Sequence, residues 1–120
     1  MRQDDVIRLQ HMLDAAQEAI SFAFGKKRED LDDDRMLVLS LVKDIEIIGE
    51  AATKVSESCH QEHPEIPWKE IVTMRNRLIH GYFDINLAIV WKTVTEELPL
   101  LIQQLQKAIS PLWRKNLSAC

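Results

Sequence analysis

The chain has 120 residues, of which 46% are apolar, so it can bury one hydrophobic core and is too apolar for a disordered protein. Its formal net charge of −4 argues against a protein that coats nucleic acid over its whole surface. Only residues 65–120 are net basic, with seven basic and five acidic side chains. Any site for RNA or a nucleotide is therefore expected in that part of the chain.

Long helices are expected because three glycines and four prolines leave few positions for the turns between short strands. The first predicted helix covers about residues 5–24, with Asp4 or Asp5 as its N-cap and Gly25 at its end. Its apolar stripe consists of Val6, Leu9, Leu13, Ala16 and Ile20.

The second and longest predicted helix, about 33–59, is apolar around most of its circumference in its first half. Asp32 is its expected N-cap. Such a helix is either central in its bundle or covered by a second subunit, and the short chain favours a second subunit. A dimer is therefore predicted, which Val38→Glu or Val42→Glu would break by burying an unpaired charge.

The third predicted helix, about 68–79, places a charge on its apolar face. Its apolar stripe consists of Trp68, Ile71, Val72, Leu78 and Ile79. At about 100° per residue, Arg75 falls in the middle of this stripe. A charge there needs a partner, which is either another part of the fold or an anionic ligand.

The fourth predicted helix covers about 87–109, with a kink expected at Pro99. The four helices predict an all-α fold, a four-helix up-down bundle. We assign residues 1–110 to a single helical domain and 111–120 to a flexible C-terminal tail.

The targeting and redox features of the sequence indicate a cytoplasmic protein. No apolar run has the length of a membrane span, and the N-terminal residues contain no signal-peptide core. Cys59 and Cys120 have no motif spacing, so we interpret them as reduced thiols.

Arg75 and His80 are a candidate pair for phosphate chemistry. Their directions differ by about 140° on an unbroken helix, so a distorted last turn or two facing copies must bring them together. The arginine guanidinium is always charged and can donate two hydrogen bonds to a phosphate. Histidine can accept or donate a proton near neutral pH. No carboxylate cluster for a divalent metal lies nearby in the sequence. The combination suits metal-free RNA cleavage by attack of the ribose 2′-OH, which leaves a 2′,3′-cyclic phosphate.

Arg75 also has a structural interpretation, as one half of an ion pair within or between subunits. Three acidic residues of the second predicted helix are candidate partners: Asp44, Glu46 and Glu50. From spacing alone, the ion pair is favoured over the phosphate site.

The segment RNRLIHGY has an Arg-x4-His-x-Tyr pattern that resembles the motif of the HEPN superfamily, specifically of the HepT-like toxins. The similarity extends into IGEAATKV, IPWKEIVTMRN and VWKTVTEELPLL and covers nearly the whole chain in the expected order. The resemblance implies a HEPN-like four-helix bundle that dimerises and places two motifs in one cleft.

The resemblance also implies a function: the toxin of a type VII-like toxin–antitoxin pair, a metal-independent endoribonuclease without a cofactor. Carried over by position, Arg75 and His80 are catalytic, and Asn76 orients His80 or the phosphate. Tyr82 is the residue that a minimal nucleotidyltransferase antitoxin adenylylates. The expected partners are RNA, this antitoxin and a second copy of the chain, with no membrane. The alternatives are a non-catalytic nucleotide-binding or adaptor subunit of a nucleotidyltransferase and a purely structural helical dimer.

Cys59, His60 and His63 are candidate zinc ligands by residue type. Cys59 and His60 are adjacent, and the sequence offers no evident fourth ligand, so a structural or solvent-exposed role is favoured. His11 is expected on the surface. Arg77 is expected to be solvated or to form a secondary RNA contact.

Overall fold

The computed structural model describes residues 2–79 and 84–118, with side chains described as far as 110. The described chain is helical apart from short connections, which confirms the predicted all-α class. No helix within it has the length and apolar character needed to cross a membrane. The helices are α1 (Gln3–Ala23), α2 (Asp30–Asp33), α3 (Arg35–Lys54), α4 (Glu57–Glu62), α5 (Trp68–Leu78), α6 (Leu87–Lys92) and α7 (Leu98–Ser118).

Four long segments form the bundle: α1, α3, α5 and the run from α6 to α7. The α1 helix packs against both α3 and α7, and α3 also packs against α5. Each helix turns an apolar stripe inward, and the burial of these stripes is the main stabilising term of the fold. The fully buried side chains include Leu9, Met12, Leu41, Ile45, Ile48, Leu78, Leu98 and Leu105.

The predicted second helix, about 33–59, is divided between α3 and α4. Its N-cap is Asp34 and not Asp32, since the Asp34 carboxylate accepts a hydrogen bond from the Leu37 amide at 3.0 Å. The helix α3 ends at Lys54, and Ser56 begins α4 by accepting a hydrogen bond from the Cys59 amide at 3.2 Å.

The break before α4 is held by a carboxylate from α1. Asp5 is buried and accepts hydrogen bonds from Ser56 N at 2.8 Å and from Ser56 Oγ at 2.6 Å. Neither Asp4 nor Asp5 is the N-cap of α1, a position that Arg2 occupies without a side-chain hydrogen bond. Burial by itself would raise the pKa of Asp5, but the two Ser56 hydrogen bonds and the charge of Arg2 outweigh it and lower the pKa.

The predicted dimer face on α3 is partly used inside the chain. Val38 and Val42 are only 5% and 6% exposed, so a glutamate at either position would destabilise the monomer itself. Leu39 and Ile47 of the same helix are 45% and 37% exposed. The substitutions at Val38 and Val42 thus cannot report on dimerisation, and the dimer stays a prediction.

The irregularity expected at Pro99 takes the form of a π-helical turn, Thr93–Glu97, between α6 and α7. Proline has no N–H and its ring collides with the carbonyl four residues earlier, so the preceding turn must widen. The α7 helix then continues to Ser118, beyond the domain end predicted at 110. The flexibility assigned to residues 111–120 stays a prediction.

We expect Asp5→Asn to lower the free energy of unfolding by about 1–3 kcal/mol at pH 7, because it removes a charged acceptor from two buried hydrogen bonds. Asp5 has a lowered pKa in the folded state, so its contribution is present above its unfolded pKa and is lost as the pH falls. Urea unfolding should therefore show a smaller difference at pH 4 than at pH 7. The exposed neighbour Asp4 provides the control. Equal costs for Asp4→Asn and Asp5→Asn would contradict this role.

Candidate active site

Arg75 lies on the flank of α5 and not on its buried face. The residues that α5 buries are Ile71, Met74 and Leu78, spaced by three and four positions. The predicted stripe omitted Met74, which is buried, and included Val72, which is exposed. The Arg75 side chain is consequently 57% exposed, and the expectation that it lies on the apolar face was wrong.

Glu46 of α3 is the partner of Arg75. Arg75 Nε donates a hydrogen bond to Glu46 Oε1 at 3.3 Å. A pair with this exposure contributes little to stability, so its main effect is to orient the guanidinium. Among the described residues, no hydrogen bond involves the two terminal nitrogens of Arg75. These are the atoms with which a guanidinium donates two hydrogen bonds to a phosphate.

The contact between α3 and α5 that brings this pair together depends on Gly49. A Cβ atom at position 49 would lie 3.3 Å from the carbonyl oxygen of Ile71, in the backbone of α5. Glycine thus allows the two helices to approach closely, and Arg75 lies one helical turn after Ile71.

Arg75 and Glu46 line a groove of about 430 Å³ between α1, α3 and α5. Four of the lining residues are basic and two are acidic, so the groove is locally basic on a chain with a net charge of −4. Clustered charge of one sign in a concave surface attracts ligands of the opposite sign. The lining residues are Arg8, His11, Lys43, Glu46, Ile47, Glu50, Ala51, Lys54 and Arg75.

Sequence reasoning missed most of this groove. Lys43, Ile47, Glu50 and Lys54 recur at steps of three or four, which places them on one face of α3. That spacing was visible in the sequence, although no sequence feature shows that α1 contributes Arg8 to the same groove. His11 was expected on the surface and is indeed exposed, at the edge of this groove.

Of the other predicted site residues, the structure describes only Asn76. Asn76 is exposed on α5 and does not line the groove. His80 and Tyr82 lie outside the described residues, as does Gly81. On either side of residues 80–83, Ile79 and Ile85 form an antiparallel bridge. The described residues that flank 80–83 are therefore held together next to the C-terminus of α5.

Cys59, His60 and His63 have structural contacts. Cys59 is buried, and this burial is the main reason that its pKa is raised to about 11. The His60 ring stacks on Trp68 with 4.3 Å between the ring centroids. His63 Nδ1 lies 3.3 Å from Glu65 Oε1. In the part of the chain that the structure describes, no group of three or more His, Cys, Asp or Glu side chains has the geometry of a metal site.

Arg77 is directed away from the groove. Its Nη2 atom lies 3.6 Å from Glu97 Oε1, in the π-helical turn. Arg77 thus links α5 to the fourth segment of the bundle. Arg77 is exposed, as expected from the sequence, and the secondary RNA contact stays a prediction.

The family model described as ribonuclease HepT-like matches residues 12–108. The chain belongs to this HEPN family. A protein of Caldanaerobacter subterraneus subsp. tengcongensis, named "putative RNase", is 37% identical over 84% of this chain and 90% of its own. A "probable ribonuclease HepT" of Thermococcus cleftensis is 39% identical over 66% of this chain and 72% of its own. A "putative RNase" of Methanocaldococcus jannaschii is 32% identical over 82% of this chain and 90% of its own. No solved structure gives a significant match.

The resemblance identified from the motif is therefore confirmed at the level of the family. The matched region contains α3, α5 and the groove residues from Lys43 to Arg75, together with the whole Arg-x4-His-x-Tyr motif. Arg8 and His11 precede it.

We expect Arg75→Ala to change the free energy of unfolding by less than about 1 kcal/mol, because its ion pair with Glu46 is exposed. The adjacent buried residue provides a contrast, since Met74→Ala should cost about 2–5 kcal/mol. Urea unfolding of both variants, with a double-mutant cycle between Arg75 and Glu46, measures these values. If Arg75→Ala costs as much as Met74→Ala, the role of Arg75 is structural.

Proposed function

We propose that this HepT-like chain is a metal-independent endoribonuclease and the toxin of a type VII-like toxin–antitoxin pair. The observation that supports this most directly is the position of Arg75, which is exposed in a basic groove and whose terminal nitrogens make no hydrogen bond within the described residues. Family membership and the names of the relatives support the ribonuclease activity.

The groove suits the backbone of an RNA chain. Lys43 and Lys54 are spaced along α3, and Arg8 faces them from α1, so successive phosphates find a cation on either wall. Such contacts hold the strand without reading its bases. Glu46 keeps the Arg75 guanidinium at the wall of the groove by accepting from Nε.

The proposed reaction needs only protein side chains. His80 accepts the proton of a ribose 2′-OH, and the oxygen attacks the adjacent phosphorus. The bond from phosphorus to the 5′-oxygen breaks, that oxygen takes up a proton, and a 2′,3′-cyclic phosphate remains. Arg75 stabilises the additional negative charge on the phosphate oxygens in the transition state. Asn76, beside Arg75, is proposed to orient His80 or the phosphate.

A homodimer would place two such motifs in one cleft. Ile47 lines the groove and is 37% exposed, and Val72 of α5 is exposed as well. An isologous contact through these side chains would bury apolar surface and bring two Arg75 residues close to each other. This replaces Val38 and Val42 as the proposed contact.

Neutralisation is proposed to occur at Tyr82, two residues beyond His80. Transfer of an adenylyl group from ATP by a minimal nucleotidyltransferase joins the Tyr82 oxygen to the α-phosphorus and releases pyrophosphate. The added phosphate would pair with Arg75 and occupy the space that the RNA phosphate needs. Under the adaptor alternative, the groove binds a nucleotide for the partner enzyme and no RNA is cut.

We expect Arg75→Ala and His80→Ala each to reduce the initial rate of RNA cleavage in EDTA by about 10²–10⁴, the usual contribution of acid–base and transition-state charge stabilisation. The matched control is Arg77→Ala, which removes an arginine of the same helix that pairs with Glu97 outside the groove. Cleavage by His80→Ala at the wild-type rate would exclude the mechanism. Binding of ATP that depends on Arg75, with no cleavage by the wild type, would favour the adaptor.

We expect Tyr82→Phe to remain toxic, because the proposed cleavage does not use the phenol, and to escape neutralisation by adenylylation. Intact-mass measurement after co-expression with the nucleotidyltransferase should show added AMP on the wild type and none on the variant. An unmodified Tyr82 in fully neutralised protein would mean that the antitoxin blocks the cleft by binding alone.

A further inference from the structure

Asp44 is a buried carboxyl group that the proposed ribonuclease mechanism does not use. It lies on α3 and is 2% exposed. Among the described residues, none donates a hydrogen bond to its Oδ2 atom. A buried carboxylate oxygen without a hydrogen-bond donor is costly, so this position calls for an explanation.

Asp44 lines a second, smaller cavity of about 200 Å³ between α1 and α3. Its other walls come from Asp14 and Glu18 of α1, one and two turns after His11, and from the apolar side chains of Ala15 and Ile47. Three carboxyl groups thus surround a space the size of a small organic group. His11 and Ile47 also line the basic groove, so the acidic pocket and the groove adjoin.

The protonation of Asp44 is adjusted by this environment. Burial is the main cause, and both a hydrogen bond with the Glu18 carboxyl and the negative charge of that carboxyl add to it, so the pKa of Asp44 is raised to about 7. The other titratable groups that line the pocket are His11, Asp14 and Glu18, all on α1. A bound cation would favour the ionised form of Asp44 and would therefore release a proton near neutral pH.

We propose that this acidic pocket binds an organic cation, a primary ammonium or guanidinium group, with Asp44 as the buried counter-ion and Asp14 and Glu18 at the rim. Both groups carry several N–H donors, which satisfy Asp44 Oδ2 and the rim carboxylates together. Ala15 and Ile47 suit the methylene chain that carries such a group. A bare metal ion is disfavoured because these carboxylates do not form a group with metal-binding geometry within the described residues.

The cation has two sources with the same chemistry: a polyamine, or a lysine or arginine side chain of a partner protein. A polyamine held here would extend its second ammonium toward the adjoining groove, where it would face an RNA phosphate. A partner's side chain would anchor that protein at the mouth of the groove. In either case the binding of the cation does not require RNA cleavage. Absence of cation binding would therefore not contradict the proposed ribonuclease activity.

The test is an NMR titration of the full chain without RNA, at pH 8 and constant ionic strength. The probes are spermidine, Nα-acetyl-lysine amide, Nα-acetyl-arginine amide and MgCl₂. We expect saturable shifts at residues lining the pocket for the organic cations and not for Mg²⁺. Asp44→Asn should weaken this binding about 10- to 100-fold, the range for one hydrogen-bonded charge.

Two further variants make the result specific. Glu18→Gln removes an exposed rim carboxylate and should weaken binding by a smaller factor, while Glu29→Gln removes an exposed carboxylate that does not line the pocket and should have no effect. Spermidine binding more than about tenfold tighter than the two amino-acid amides identifies a polyamine, and equal affinities identify a partner's side chain. Absence of saturable binding, equal effects of Asp44→Asn and Glu29→Gln, or an equal response to Mg²⁺ would overturn the proposal.

Discussion

The arrangement of this protein depends on the close packing of α5 against α3 at Gly49. With no side chain at position 49, the backbone carbonyl of Ile71 lies where a Cβ atom would make a tight contact. The buried face of α5 then turns Met74 and Leu78 into the core. Arg75, one position after Met74, is left at the edge of the contact and opposite Glu46. A small packing constraint therefore decides where the guanidinium of the motif lies.

Charged side chains that are neighbours in the sequence of α3 lie on different faces of the helix. The exposed face presents Lys43, Glu46 and Lys54 to the groove, while Asp44 points toward α1. The chain is acidic in sum, yet it carries a basic groove beside an acidic pocket. The proposed binding of RNA depends on this local separation of charge and not on the net charge.

The parts of the fold that depend on local sequence were predictable. Leu9, Leu13 and Ala16 of the predicted α1 stripe are buried, the helix ends next to Gly25 with its φ of +77°, and α5 starts at Trp68 as predicted. These features use contacts within one or two turns, so the sequence contains the information. The family could be identified from the motif and its flanks for a similar reason, because the pattern is contiguous.

The parts that depend on distant residues were not predictable. The break between α3 and α4 is held by Asp5, which is 51 positions from Ser56 in the chain. The burial of Val38 is set by helices packed against α3, and the apolar pattern of α3 alone does not distinguish such a surface from a subunit contact. The groove shows the same limit, since Arg8 reaches it only through the packing of α1 on α3.

The proposed mechanism has Arg75 and His80 cleave RNA through the ribose 2′-OH without a metal ion. It can be tested by the chemical identity of the new RNA ends, determined by mass spectrometry after incubation of an oligoribonucleotide with the purified chain in EDTA. We expect a 2′,3′-cyclic phosphate on one fragment, a 5′-OH on the other, and no cleavage of a substrate with 2′-deoxyribose at the scissile position. Fragments with 3′-OH and 5′-phosphate ends, or cleavage of the deoxy substrate, would exclude this mechanism.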